Sequence, residues 1–191
     1  MHEQINFIQI DRRWFLTWTT YGTWLPGDKR GFFGTAENDL GDVVNHNEIG
    51  TQPANPNVRL RATAENLLKS NPIVLSYEQA QELYRQIQET AKIRGWLILA
   101  VGIMHTHLHV IVGVPGDPKP DKILNDLKAY ATRCLNEKFG RVASDTWWTT
   151  KGSKRKLDAD RDVEVTVQYV RCQPNPLLIW TRDDGFLLGE A

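Results

Sequence analysis

Two apolar segments near the middle of the chain constrain its fold more than any other feature. Residues 96–103, WLILAVGI, and residues 107–114, HLHVIVGV, are rich in β-branched and other apolar side chains, and only a few residues separate them. Apolar runs of this length form buried strands, and so short a connection favours antiparallel pairing. We therefore expect a buried β-hairpin in this part of the chain.

Further elements can be placed on either side of the hairpin. Residues 13–20 alternate aromatic and polar side chains, which predicts a strand, and residues 147–150 begin another. Apolar residues at helical spacing predict helices over 76–94, 121–139 and 160–171. The order β-α-β-β-α-β with a C-terminal helix predicts an α+β, ferredoxin-like split βαβ fold. This fold has one four-stranded antiparallel sheet with the helices on one face.

A long segment separates the first strand from the first long helix. Residues 24–72 are rich in Gly, Pro, Asn and Asp and are too numerous for a simple loop. We interpret them as an insertion with little regular structure and at most one short helix, near residues 60–69. Because 191 residues suit one domain, we predict that residues 1–191 form a single domain that carries this insertion.

Composition narrows the classes of function. With 41% hydrophobic and 24% charged residues, the chain can bury a core and should be soluble. We find no run near the ~20 apolar residues of a membrane span and no secretory signal, so we expect a cytoplasmic protein without a membrane partner. The net charge is zero, but residues 119–156 contain ten basic and four acidic residues. Such a basic stretch is compatible with an anion-binding face.

Histidines at alternate positions mark the start of the second hairpin strand. His105, His107 and His109 lie within five residues. Because residues i and i+2 of a strand share a face, the imidazoles of His107 and His109 can converge on one ion, and neutral imidazole commonly binds divalent metals. The alternative is a hydrogen-bonded histidine on a half-exposed sheet face. The apolar strand around the pair favours the metal site.

Two protein families share parts of this pattern. The spacing of His105, His107 and His109 matches the His-x-His-x-His of histidine-triad nucleotide hydrolases, in which a histidine is the nucleophile and no metal is required. The shorter motif His107-Leu108-His109 matches the HUH single-strand endonucleases. In those enzymes the histidine pair holds a divalent metal on a ferredoxin-like sheet, and a tyrosine on a following helix attacks DNA.

A longer pattern resembles the REP-associated tyrosine transposases, which are single-tyrosine HUH transposases of the IS200-like family. The segments that carry the resemblance are residues 18–24, WTTYGTW; 104–109, MHTHLH; 128–131, KAYA; and 169–176, YVRCQPNP. The resemblance covers most of the chain outside residues 34–72. It implies a DNA transposase that cleaves and rejoins single-stranded DNA through a 5′-phosphotyrosine intermediate.

The resemblance also implies a cofactor and a set of site residues. It assigns His107 and His109 as ligands of Mg²⁺ or Mn²⁺ and Tyr130 as the nucleophile. Cys134 occupies the position one turn later, where the family usually has an amide ligand, so the third ligand is expected to be Cys134, Glu137 or water. The implied partner is single-stranded or hairpin DNA, such as REP-like repeats. The protein could be a monomer or a homodimer.

The basic stretch supplies candidate DNA-binding residues, which are Lys128, Arg133, Lys151, Lys154, Arg155 and Lys156. Two alternative functions stay open. A catalytically inactive, domesticated nucleic-acid-binding protein is favoured by Cys134, since a thiolate is a poor ligand for Mg²⁺ or Mn²⁺. A histidine-triad-type nucleotide hydrolase would depend on His105 and not on Tyr130.

Overall fold

The computed structural model describes residues 9–28, 34–37, 43–46 and 56–188. Its strands and helices, in chain order, are β1 (Arg12–Thr19), β2 (Gly34–Glu37), β3 (Val43–His46), α1 (Val58–Asn66), α2 (Tyr77–Arg94), β4 (Leu97–Met104), β5 (His107–Val114), α3 (Pro120–Phe139), β6 (Ser153–Lys156), α4 (Asp160–Arg171), β7 (Pro176–Thr181) and β8 (Gly185–Leu188). The bounds of α2, α3 and α4 agree closely with the helices that apolar spacing predicts.

Six strands form one sheet in the order β6-β1-β5-β4-β7-β8, and every neighbouring pair is antiparallel. Strands β6, β1, β5 and β4 together form the expected split βαβ core of an α+β fold. The predicted hairpin is confirmed, because β4 and β5 pair from Leu97 opposite Gly113 to Ile103 opposite Leu108. The sheet has six strands rather than the expected four, since β7 pairs with the free edge of β4 and β8 pairs with β7.

Three smaller expectations need correction. Residues 147–150 do not begin a regular strand: Trp148 forms a single bridge to Thr20, and β6 starts only at Ser153. The helix α4 is not the last element, because β7 and β8 follow it. Within the insertion, α1 confirms the expected short helix, but β2 and β3 form an additional two-stranded sheet.

Among the described helices, none is both long and apolar enough to cross a membrane.

One face of the sheet carries the larger core. Leu108, Val110 and Val112 of β5 point to this face and pack with buried residues of α2 and α3, including Leu83 and Leu127. The expected pair of helices on one face is therefore α2 and α3. Burial of this apolar surface supplies most of the driving force for folding.

Helix α4 covers the opposite face. Its Val170 is fully buried against Ala100, Ile111 and Ile179, which come from β4, β5 and β7. Glycine at position 102 permits this close approach, because a Cβ atom there would lie 2.9 Å from Cγ1 of Val170. Side chains alternate along β5, so its odd-numbered residues face α4 and its even-numbered residues face α3.

Candidate active site beneath helix α4

The two histidines of β5 lie side by side on the face that α4 covers. The ring centroids of His107 and His109 are 5.0 Å apart, so the convergence expected from their spacing is observed. His109 is 3% exposed, and its Nδ1 lies 2.8 Å from Oγ1 of Thr17, its cross-strand neighbour on β1. His107 is half-buried, and its Nδ1 lies 3.3 Å from Oγ1 of Thr106.

The second ring nitrogen of His109 is the atom that most clearly indicates a ligand. Nε2 is buried, and no described residue forms a hydrogen bond of normal geometry with it. Burial, followed by the neighbouring His107, lowers the pKa of His109 to about 3, so its imidazole is neutral near neutral pH. A neutral imidazole that is oriented through Nδ1 and has a buried, unsatisfied Nε2 fits a metal ligand.

Tyr169 on α4 and Gln173, two residues beyond the end of that helix, lie above the histidines. The Tyr169 ring is 5.4 Å from the His109 ring between centroids and is 51% exposed. The Gln173 side chain, four residues after Tyr169, lies close enough to His109 to raise the pKa of the imidazole. Its Nε2 donates to the carbonyl oxygen of Tyr169 at 3.1 Å. The described residues contain no group of three or more His, Cys, Asp or Glu side chains arranged for a metal. The Gln173 amide, which lies next to His109, is a candidate third ligand beside the two histidines.

The ring of Phe15 on β1 contacts His109, Tyr169 and Arg155. Its ring stacks on His109 at 5.3 Å and meets the Tyr169 ring edge-on at 5.9 Å. The guanidinium of Arg155 lies over the same ring at 5.5 Å and donates to Oγ1 of Thr166 on α4 at 2.7 Å. One aromatic side chain thus contacts an imidazole, a phenol and a cation, which places all three within a short distance.

Tyr130 lies on the other side of the sheet. The prediction that its hydroxyl group lies close to the histidines is therefore wrong. The apolar side of α3 packs on the core that contains Leu108 and Val110, whereas His107 and His109 point to the opposite face. The Tyr130 ring lies between the guanidinium groups of Arg94, at 5.8 Å, and Arg133, at 5.0 Å. The sheet itself separates this tyrosine from the candidate metal site.

The two residues expected as a third ligand, Cys134 and Glu137, lie on the same side of the sheet as Tyr130, away from the histidines. Cys134 is buried between α3 and α2, with Sγ 3.6 Å from Arg85 and 3.9 Å from Glu82. Burial raises the pKa of the Cys134 thiol, which disfavours the thiolate that binds metals. Glu137 is exposed on α3. Neither residue can reach the histidine pair, so the prediction of Cys134 or Glu137 as the third ligand is wrong.

Two candidate DNA-binding residues on α3 have other roles. Lys128 is buried, and its Nζ donates to the carbonyls of Thr149 at 2.5 Å, Lys151 at 3.3 Å and Thr150 at 3.4 Å. Burial, followed by Lys154, lowers the pKa of Lys128 to about 8. This lysine holds the segment before β6 instead of contacting a ligand. Arg133 is exposed and stacks over Tyr130, away from the site.

The basic residues around β6 divide between the two faces. Arg155 is opposite Phe15 and faces the site, whereas Lys154 and Lys156 are opposite Leu16 and Trp14 and face the other side. Lys154 pairs with Asp121, and Lys156 pairs with Asp158 at 2.6 Å. Lys151 is exposed just before the strand. Of the six candidates, Arg155 is the one whose side chain contacts Phe15 and Thr166 on the histidine face.

His105 is separate from the other two histidines. It is exposed in the hairpin connection, outside β5, and its Nδ1 lies 3.2 Å from the Leu75 carbonyl oxygen. A three-histidine site would need all three rings on one strand face. The placement of His105 therefore gives the histidine-triad alternative no support.

Sequence reasoning missed Phe15, Tyr169 and Gln173 as site residues. A usable signal was present, because an amide four residues after a tyrosine lies close to it at the end of a predicted helix. Both residues lie in the segment 169–176 that contributed to the family resemblance. The missing information was the face of the sheet on which this helix packs.

Comparison with known proteins gives a family. A profile of the family described as "Transposase IS200 like" matches residues 67–173, a range that contains the histidine pair, Tyr169 and Gln173. No curated protein matches the chain.

Two solved structures are similar to the chain. One is a REP-associated tyrosine transposase bound to a REP hairpin: it is 16% identical, with a TM-score of 0.46 over 89% of this chain and 70% of that chain. The other is a protein from Deinococcus radiodurans R1 that is assigned as a transposase, 12% identical, with a TM-score of 0.46 over 92% of this chain and 99% of that chain.

Proposed function

Because this chain belongs to the IS200-like transposase family, an assignment that makes it an enzyme acting on DNA, we propose that it cleaves and rejoins single-stranded DNA beneath α4. The proposed nucleophile is Tyr169. The observation that carries this assignment is the contact between the half-exposed Tyr169 ring and His109, whose Nε2 is buried without a described hydrogen-bond partner. A nucleophile must lie next to the groups that activate the phosphate and must also be accessible to a strand of DNA.

The chemical step is an in-line displacement at phosphorus. The phenol oxygen of Tyr169 forms a bond to the scissile phosphorus and loses its proton, while the bond from phosphorus to the 3′ oxygen breaks and that oxygen takes up a proton. The products are a 5′-phosphotyrosine and a free 3′-hydroxyl. Because the covalent link conserves the phosphodiester bond energy, attack by a 3′-hydroxyl on the same phosphorus reverses the step and joins strands without ATP.

The candidate ligands fit a divalent metal such as Mg²⁺ or Mn²⁺. His107, His109 and the Gln173 amide would hold the ion, which when bound neutralises charge that develops on the phosphate. In the tautomer in which Nε2 would bind the metal, Nδ1 of His109 carries the proton and donates to Oγ1 of Thr17, which orients the ring.

Arg155 is the proposed phosphate-binding residue of the site. Its guanidinium is positioned by Phe15 and by the hydrogen bond to Thr166, on the same face as Tyr169. A planar guanidinium binds phosphate oxygens well and remains charged at every relevant pH. Histidines, tyrosine, glutamine and arginine all come from one chain, so we expect a monomer to contain a complete site.

The alternative of an inactive DNA-binding protein has lost its main support. That alternative depended on Cys134 as a damaged ligand position, and Cys134 lies between α2 and α3. The position one turn after Tyr169 holds Gln173, whose amide oxygen is a hard ligand suited to Mg²⁺ or Mn²⁺.

Covalent capture tests the proposal. The protein is incubated with 5′- or 3′-labelled hairpin DNA pools that carry single-stranded flanks and with Mn²⁺, and the products are separated under denaturing conditions. We expect a protein–DNA adduct in the wild type and in Tyr130→Phe, and its loss in Tyr169→Phe. An adduct that survives Tyr169→Phe and disappears in Tyr130→Phe would overturn the assignment of the nucleophile.

A further inference from the structure

A cavity of about 660 Å³ opens beside the candidate active site and has no role in the mechanism above. Among the described residues, three segments and Thr106 of the hairpin turn line it; the segments are residues 22–28 after β1, helix α1, and residues 68–74 before α2. Its volume is within the usual range for pockets that bind small molecules or a single nucleotide. All the described lining residues belong to the long connection between β1 and α2 or to the hairpin turn at Thr106.

Close backbone packing fixes the walls of this cavity. Gly22 has a φ of +74°, and a Cβ atom there would lie 2.8 Å from the Cα of Pro72. Gly27 has a φ of +85°, and a Cβ atom there would lie 2.2 Å from the carbonyl oxygen of Asn57, the residue that caps α1. Both contacts require glycine. They hold the three lining segments together, so the cavity is a formed part of the fold.

The cavity shares two residues with the edge of the active site. The ring centroid of Trp24 is 5.3 Å from that of His107. Thr106, which also lines the cavity, directly precedes His107 and contacts its Nδ1. A ligand group in the cavity is therefore separated from the histidine pair by about one side chain.

Trp24 adopts a backbone conformation that tryptophan rarely has. Its φ is +54°, in the left-handed region. The preceding residues hold this turn: Thr20 donates from Oγ1 to the Ile73 carbonyl at 2.6 Å, and Thr23 donates from Oγ1 to the Thr20 carbonyl at 2.8 Å. Strained conformations that the surroundings enforce are concentrated at functional sites. Here the strained turn places an indole between the cavity and His107.

We propose that this cavity binds one unpaired nucleobase of the DNA strand, next to the phosphate at the histidine pair. The assignment rests on the proposed function, because it places the scissile phosphate at His107 and His109. Trp24 supplies an aromatic surface for stacking, which is effective with any base. The Asn71 amide supplies an acceptor and donors for the polar edge of a base, and the guanidinium of Arg61 supplies further N–H donors.

The chemistry of the lining favours a base over a phosphate or a duplex. Among the described residues that line the cavity, Arg61 is the one basic side chain, and it is paired with Glu65 at 2.8 Å, so this described lining carries no excess of positive charge for a phosphate group. Paired and stacked bases of a duplex cannot enter a cavity of this size, whereas a base from a single strand can. The occupant is therefore an unpaired base, and the cavity selects which base lies beside the cleaved bond.

Selection from a randomised strand tests this inference. The probe is a hairpin with a randomised single-stranded flank, and binding is selected with Tyr169→Phe protein so that cleavage does not bias the result. We expect a base preference of about tenfold at one flank position, in line with typical discrimination between bases. The variants Arg61→Ala and Asn71→Ala should lose the preference at that position. Both side chains are exposed, so their removal does not disturb the core.

A matched control and a direct contact measurement complete the test. Arg59→Ala removes an exposed arginine from the same helix without altering the cavity lining, and it should retain the preference. A flank that carries 5-iodouracil at the selected position should photo-crosslink to the peptide containing Trp24. Crosslinks that map only to other peptides, or a preference unchanged in both Arg61→Ala and Asn71→Ala, would overturn the inference.

The outcomes separate this inference from the proposed chemistry. A covalent adduct at Tyr169 with no cavity-dependent base preference would refute the nucleobase site and leave strand cleavage intact. A cavity-dependent preference without any adduct in active protein would refute the cleavage chemistry and leave base recognition intact.

Discussion

The ring of Tyr169 on α4 lies 5.4 Å from the imidazole of His109 on β5, and the ring of Phe15 contacts both. This contact joins the last long helix to the hairpin strand that carries the histidines. The sheet separates Tyr130 on α3 from the same imidazole. The chemistry available at the histidine pair therefore depends on α4 and not on α3, and each prediction below follows from that arrangement.

Replacement of Gln173 by leucine should weaken metal binding. The variant keeps the side-chain size but removes the amide that completes the candidate ligand set. We expect Mn²⁺ affinity to fall by about 10- to 100-fold, as is typical when a ligand or its close support is removed. Titration calorimetry with Mn²⁺ measures the effect. The control Gln168→Leu changes an exposed glutamine on α4 and should bind Mn²⁺ like the wild type; equal affinities in all three proteins would exclude Gln173 as a ligand.

A methyl group at position 102 should displace α4 from the sheet. In Gly102→Ala, the new Cβ would lie 2.9 Å from Val170 Cγ1 and 3.3 Å from Ile179 Cδ1. We expect a loss of about 1–3 kcal/mol in the free energy of unfolding, and a reduced yield of the Tyr169 adduct. Chemical denaturation and covalent capture measure the two effects. The double variant Gly102→Ala/Val170→Ala removes the clash and should regain adduct yield; no recovery would mean that the clash is not the cause.

Replacement of Arg155 by glutamine should weaken DNA binding. Arg155 faces the site, so we expect the slope of log affinity against log salt concentration to fall by about 1, as for the loss of one phosphate contact. Fluorescence anisotropy with labelled single-stranded DNA at several salt concentrations measures the slope. Lys156→Gln is the matched control, because Lys156 faces the opposite side and pairs with Asp158. A larger slope change in Lys156→Gln would place the DNA on the other face.

The buried Lys128 should make stability depend on pH in the alkaline range. Its folded-state pKa is about 8, below the ordinary value of 10.5, because burial disfavours the ammonium. Between these two values the unfolded chain binds more protons than the folded chain, so stability should rise with pH through this window. The gain is at most about 3 kcal/mol, since the three carbonyl acceptors stabilise the charged form.

Urea denaturation of wild type and Lys128→Met isolates this contribution. Other groups titrate in the same range, so the informative quantity is the difference between the two proteins at about pH 7.5 and about pH 10. We expect the wild type to gain stability relative to Lys128→Met as the pH rises. A difference that stays constant would mean that the carbonyls of residues 149–151 hold the lysine charged throughout.

The positions of α2, α3 and α4 could be predicted because each is a local pattern. The Ser76 capping box and the glycine at position 95 mark the two ends of α2, and regularly spaced apolar residues identify the buried side of α3. The alternation of β5 likewise predicts that His107 and His109 share a face. The strands β7 and β8 were missed, since each is short and has little alternation that a sequence pattern could reveal.

The missed strand explains the misplaced nucleophile. Crossover connections between parallel strands of one sheet are right-handed almost without exception. The right-handed connections β1-α2-β4 and β5-α3-β6 place α2 and α3 on the same face of the sheet. The strands β6 and β7 are also parallel, but relative to β5-α3-β6 the connection between them crosses the sheet in the opposite direction. A right-handed crossover therefore places α4 on the other face. Without β7, the face that α4 covers is undefined, and the resemblance of residues 128–131 to the family's tyrosine segment points to Tyr130.

The sequence by itself determined the α+β class, the central hairpin, the three long helices and the pairing of His107 with His109 on one face. These features depend on side-chain periodicity over a few residues, which the chain carries locally. Tertiary structure alone decided that Tyr169 and Gln173 meet the histidines while Tyr130, Cys134 and Lys128 do not. That outcome depends on which helix covers which face of the sheet, and strand order and crossover handedness, which are properties of the whole chain, determine it.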